Sequence, residues 1–143
     1  MRLEPLPAPI PAEGVRATYA LARFADTLVV SVQGEASNSH ECIGIYRILN
    51  EALMLASRVF RPSGPSALVF DFSELNYKWG DDMAELLGTW GLPIAIVTSP
   101  QNERALSTLL TDELFWEGPL PFFLSREAAI AAVQKRDGIS GAT

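Results

Sequence analysis

At 143 residues the chain fits one domain with a substantial core. It is 48% apolar and 20% charged, ordinary for a soluble globular fold, and its net charge of −6 without any Lys/Arg cluster argues against nucleic acid as a partner. A lone cysteine, Cys42, rules out an internal disulfide and fits a cytoplasmic location, and no apolar run reaches the roughly 18 residues that cross a bilayer, so no membrane span is expected.

The opening stretch "MRLEPLPAPIPAEG" (1–14) has four prolines and no apolar core. It reads as an extended, loosely held lead-in and as neither a signal peptide nor a membrane span. "VRATYALARF" (15–24) alternates, with Val15, Ala17, Tyr19 and Leu21 on one side. "ADT" turns the chain, and the β-branched "LVVSVQG" (28–34) follows, so these residues predict a hairpin or two adjacent strands. "EASNSHE" (35–41) is rich in capping residues, with Asn38 or Ser39 as the cap of the next helix. That helix (40–60) places Ile45, Ile48, Leu49, Ala52, Leu55, Ala56 and Val59 on one core-facing stripe, and "RPSGPS" ends it.

"ALVFDF" (67–72) is almost continuously apolar, as befits a strand covered on both faces. A helix is expected from about Asp81 to Thr89, a buried strand over 92–99, and a helix over 100–114 with Pro100 near its first turn. "LPFFLS" (120–125) reads as a short strand. "SREAAIAAVQKRDG" (125–138) reads as a helix with Ser125 as cap and Gly138 as stop, leaving 139–143 as a flexible tail. One strand followed by four β-α pairs predicts an α/β domain over 15–138, with a mostly parallel central sheet and flanking helices.

The chemistry-bearing residues are sparse. His40 and Cys42 lie two apart at a helix start, where a thiolate could be stabilised, but residues i and i+2 on a helix do not face each other. One His and one Cys leave too few ligands for a zinc site of the usual kind, and neither a "GxSxG" elbow nor a phosphate-binding glycine loop occurs. The acidic set Asp71, Asp81, Asp82 and Glu85 makes magnesium conceivable, with Asp71 near a strand's carboxyl end. A phosphoacceptor receiver domain would need a lysine after the last strand, where "FFLSRE" has none, and an acidic pair after the first, where "QGEASNS" has only Glu35. For Asp81 and Asp82, helix capping is sufficient reason, since a carboxylate at a helix start contributes roughly 0.3–1 kcal/mol. No catalytic residue, metal or cofactor is therefore assigned. Of Trp79, Trp90 and Trp116, Trp79 is expected to be the most exposed, beside Lys78 and Gly80 in a loop.

Two stretches, "ALVFDFSELNYKWGDDMAELL" and "PIAIVTSPQNERALSTLLTDELFWEGPLPFFLSREAAIAAV", together with the β(βα)4 order, resemble the STAS domain of bacterial anti-sigma-factor antagonists. The resemblance covers about 28–136 and is carried by pattern, including a late "F-x-S-x-E-x-A" helix start. The family's "D-S-S-G" or "D-x-S-G" is absent. Aligning Leu75 and Leu86–Leu87 puts Trp79, Gly80, Asp81 and Asp82 in those places, and the phosphorylated serine falls on Asp81. A fixed aspartate carries less charge than the −1.5 to −2 of a phosphoserine.

The resemblance implies a non-enzymatic regulatory module, not switched by serine phosphorylation. Its protein contacts would come from Asn76, Tyr77, Lys78, Trp79, Gly80, Asp81, Asp82 and Glu85. The expected partner is a regulatory kinase-like or other signalling protein, with a homodimer as a further option. Two other classes stand beside it. One is a ligand-binding or enzymatic α/β protein using Asp71, Asp81 and the loop after strand 94–98. The other is a dedicated inhibitor such as an immunity protein, with acidic charge steering association.

Overall fold

The computed structural model describes residues 3–6, 15–36, 39–60, 64–78 and 82–142, with side chains for 3–6, 15–35, 44–60, 64–78 and 83–135. Among these, one sheet has the spatial order β1 (Glu4–Pro5), β2 (Val15–Ala22), β3 (Thr27–Ala36), β4 (Ala67–Tyr77), β5 (Ile94–Val97), β6 (Phe122–Phe123). Four helices, α1 (Ser39–Val59), α2 (Asp82–Gly88), α3 (Glu103–Asp112) and α4 (Arg126–Ala142), follow β3, β4, β5 and β6 in turn. β1, β2 and β3 pair antiparallel, and β3 through β6 pair parallel. The predicted α/β class, hairpin and β-α alternation are therefore present.

Alternation along the strands sorts the two faces by size. Leu28, Val30, Leu68, Phe70, Ile94 and Ile96 point to one face, under Ile48 and Ala52 of α1, Met83 and Leu86 of α2, and Leu106 and Leu110 of α3. Val29, Ala67, Val69, Ala95 and Val97 point to the other, where Ala129, Ile130 and Val133 of α4 cover them. Three crossover helices thus share the face with large residues, and the closing helix packs closely on the small ones. Tyr19 ties α1 to β2: its hydroxyl lies 3.2 Å from a Glu51 oxygen. Burial first, and then the Glu51 carboxylate, push the Tyr19 phenol above its ordinary pKa.

Several boundaries differ from the sequence reading. The lead-in is not loose at 3–6: β1 pairs with β2 through Glu4↔Leu21 and Pro5↔Ala20, and the Leu6 N–H donates to Tyr19 O at 2.9 Å. Proline is tolerated there because an edge strand leaves one side without a ladder to supply. β4 runs on to Tyr77, because β3 continues alongside it as far as Ala36. β5 and β6 are shorter than the apolar runs that contain them, and α3 begins at Glu103 because a turn from Ser99 to Asn102 closes first, the Asn102 N–H donating to Ser99 O at 3.2 Å. Gly138 does not stop α4, which continues to Ala142; glycine permits a helix end without forcing one. The turn between β2 and β3 is a 3-10 turn over Arg23–Ala25 closed by Asp26 at φ 48°, a left-handed position that aspartate tolerates.

Candidate functional site

The carboxyl end of β4 leads into the segment singled out by sequence, and both of its edges are held. On one edge β4 keeps its register with β3, from Gln33↔Glu74 to Ala36↔Tyr77, after a bulge that inserts one extra residue beyond Asp71. On the other edge β5 has already ended at Val97, and a side chain takes its place. Asn102, fully buried, donates through Nδ2 to Phe72 O at 2.6 Å and to Leu75 O at 2.7 Å, and its Oδ1 accepts from Ser99 N–H at 3.0 Å. Asn102 stands at the N-cap position of α3, yet its side chain leaves its own helix uncapped and serves the neighbouring strand. Its position before an amphipathic helix reads as a cap, so no local signal would have revealed this role.

From this clamped end the residues expected to make contacts follow in sequence. Asn76 is half-buried and donates to Glu35 Oε1 at 3.3 Å, while Lys78 is exposed. Tyr77 corrects the expectation of a loop contact: it is the last residue of the strand, only 3% exposed, and packs in the core among the large side chains. Strand alternation turns it inward. Trp79, Gly80 and Asp81 lie outside the described residues. Asp82 opens α2, its side chain is not described, and Glu85 is exposed on the same helix. Trp90 and Trp116 are both half-buried against the core, their indoles donating to Leu86 O at 2.9 Å and Pro119 O at 3.0 Å. His40 and Cys42 fall in the first turn of α1, where side chains are not described.

The acidic set is not one cluster. Asp71 points to the face covered by α4, whereas α2, carrying Glu85, packs on the opposite face. The sheet stands between these two carboxylates, and no group of three His, Cys, Asp or Glu among the described residues could hold a metal ion. Asp71 is instead engaged within its own strand and by α4. The Ser73 N–H and hydroxyl donate to its Oδ1 at 3.0 and 2.6 Å, and Arg126 Nε donates to Oδ2 at 2.5 Å. The strand-end aspartate thus has a cation, supplied by the first turn of α4, which sequence reading did not connect to it. Thr18, Ser31, Gln33, Ser73 and Glu74 complete a polar recess of about 90 Å³ on this uncovered part of the sheet.

Burial by itself would raise the Asp71 carboxyl, but the hydrogen bonds from Ser73 and Arg126 outweigh it and hold the group below its ordinary 3.8. A depressed carboxylate stabilises the fold above its unfolded pKa and loses that contribution as pH falls through the folded value. Because the Arg126 side chain is 44% exposed, solvent screens the pair. Arg126→Gln is therefore expected to cost only about 1 kcal/mol or less at neutral pH. Urea melts from neutral to acid should show the gap between variant and parent closing as pH falls through the lowered pKa of Asp71, and a gap that widens in acid contradicts this assignment.

No family model and no curated protein matches the sequence. Among solved structures, the chain is similar to an anti-sigma factor antagonist from Mycobacterium paratuberculosis. The two share 18% sequence identity and a TM-score of 0.62, over 87% of this chain and 99% of that one. The fold is STAS-like.

Proposed function

We propose that this STAS-like domain is a regulatory protein-interaction module that carries out no catalysis and is not switched by serine phosphorylation. The observation that carries the reading is the fold itself, shared with an anti-sigma factor antagonist over most of both chains. The clamped end of β4 supports it, since a contact segment positioned by a rigid strand loses less conformational entropy on association. Strand order supports it as well. From β3 to β6 the parallel strands follow chain order, so among the described residues the sheet has no reversal of order, where doubly wound enzymes open their ligand crevice. The contact surface in this reading is Lys78 to Asp82 with the outer side of α2, and Asp81 supplies a permanent negative charge in place of a switchable one.

The test starts from a partner purified with the protein and verified by reconstitution. Asn caps a helix about as well as Asp, so Asp81→Asn removes charge while keeping the cap. Association and its salt dependence should weaken with little change in the melting curve. Trp79→Ala should weaken association by about 2 kcal/mol or more if the indole is a hot spot. The reading fails if both variants bind as the parent does, or if the protein from its native cell carries a serine phosphate that changes association.

A further inference from the structure

We infer that two copies of this chain associate through their α3 helices, packed antiparallel, with Phe115 of each copy seated in the groove between α3 and β6 of the other. Two departures from local rules lead there. The first is Phe115 itself. It is 80% exposed and stands at φ 52°, a backbone conformation that a bulky residue rarely adopts and that glycine usually supplies after a helix. Its neighbours hold it in place. The Leu114 N–H donates to Leu109 O at 3.3 Å, the Trp116 N–H donates to Leu110 O at 3.0 Å, and both side chains pack against the core. The chain thus bears backbone strain to display a ring that is left in solvent. The second departure is the charge order of α3. Arg104 is in the first turn and Asp112 in the last, the reverse of what the helix dipole favours. Neither has an ion-pair partner among the described residues. With Thr108 they form a row spaced four residues apart and about 12 Å long on the exposed side of the helix, away from buried Leu106, Leu109 and Leu110.

Such a row complements itself. Rows spaced four apart pack on one another in the commonest class of helix crossing. In an antiparallel pair centred on Thr108, each Arg104 meets Asp112 of the other copy, and the small Ser107, Thr108 and Thr111 let the helices approach. Glu103 and Glu113 fall about 140° round the helix from Thr108 and point away from the contact. Phe115, seven residues past Thr108, comes opposite Gln101 of the other copy. That is the Pro100 end of an open groove of about 360 Å³, with Leu120 and Phe122 as further apolar walls and Arg104, Ser107 and Thr108 as polar ones. The ring, a groove for it and both charges of each ion pair are all present on one chain, so the occupant is a second copy of that chain. One short helix and one ring from each copy make a small interface of the weak class, with dissociation in the micromolar range.

Sedimentation of the full chain across micromolar concentrations tests this, in about 0.15 M salt to screen the net charge of −6 on each copy. The parent should show a monomer–dimer equilibrium. Phe115→Gly should weaken the dimer by about tenfold or more. At concentrations where the parent is monomeric, the same variant should melt at least as high as the parent, since glycine relieves the left-handed position. Arg104→Asp and Asp112→Arg should each weaken the dimer by about tenfold or more, because symmetry applies each change twice. Combined, they restore opposite charges across the pair and should return the parent's dimer. Both changes also agree with the helix dipole, so a failure to fold does not account for the loss in the single variants. The inference is overturned if the parent stays monomeric at high micromolar concentration, if it forms a dimer that Phe115→Gly does not weaken, or if the combined charge exchange fails to restore what the single changes remove.

Discussion

Replacing Asn102 with alanine should lower the free energy of unfolding by about 3 kcal/mol or more, since each buried polar group left without a partner costs roughly 1–3 kcal/mol. Three groups lose their partner at once: the carbonyls of Phe72 and Leu75 and the N–H of Ser99. The site is fully buried, so water does not replace the amide without opening the packing around it. Asn102→Asp should be at least as damaging at neutral pH. It keeps an acceptor for Ser99 but sets a carboxylate against two carbonyl oxygens. Urea unfolding followed by fluorescence measures both variants, with an unchanged slope marking a change in stability alone. A loss below about 1 kcal/mol for Asn102→Ala would mean that the end of β4 does not depend on this clamp. Under the proposed function the loss would extend to partner association, because the strand end that Asn102 holds runs on in sequence into residues 78–82.

Phe70→Ala should cost about 3–5 kcal/mol, the usual range for deleting a buried aromatic ring. Phe70 is at the centre of the sheet, fully buried, with its ring centroid 5.7 Å from that of Phe72. Its cavity would open beneath the crossover helices, where neighbouring strands on both sides limit collapse. For a domain of this length the loss corresponds to a melting temperature lower by on the order of 10 °C. Leu124→Ala is the matching control. Leu124 is apolar too, but 93% exposed, and its removal should change stability by no more than about 0.5 kcal/mol. Equal effects at the two positions would contradict the placement of the core. On the α4 side the sign of the volume change reverses. Ala95 is fully buried beneath a closely packed helix, so enlarging it should destabilise by overpacking.

What the sequence by itself determined is the local part of the structure. The alternation of Val15, Ala17, Tyr19 and Leu21 reported one face of β2, and the spacing of Ile45, Ile48, Leu49, Ala52 and Ala56 reported the buried side of α1, although Leu55, read on the same stripe, is only partly buried and Val59 is exposed. The almost continuously apolar run at 67–72 marked the central strand. These features are periodic in the chain, and burial imposes the period directly, so they are legible without any long-range contact. The STAS-like fold was legible for the same reason, as an order of such elements. Which face each helix covers, where strands end and which polar groups meet depend on residues far apart in sequence, and only the tertiary structure decided them. Asp71 reads as a strand-end acid open to metal or catalysis, but Arg126, 55 residues later, and the bulge at Ser73 occupy its oxygens. Glu85 reads as its neighbour, but the sheet separates them. Tyr77 reads as loop, but pairing with β3 extends the strand and turns the ring inward. Asn102 falls inside the helix expected over 100–114, but that helix begins only at Glu103, and the early end of β5 leaves two carbonyls of β4 for Asn102 to satisfy. A buried polar group takes whichever partner the fold brings within reach, and the sequence around it carries no period that names that partner.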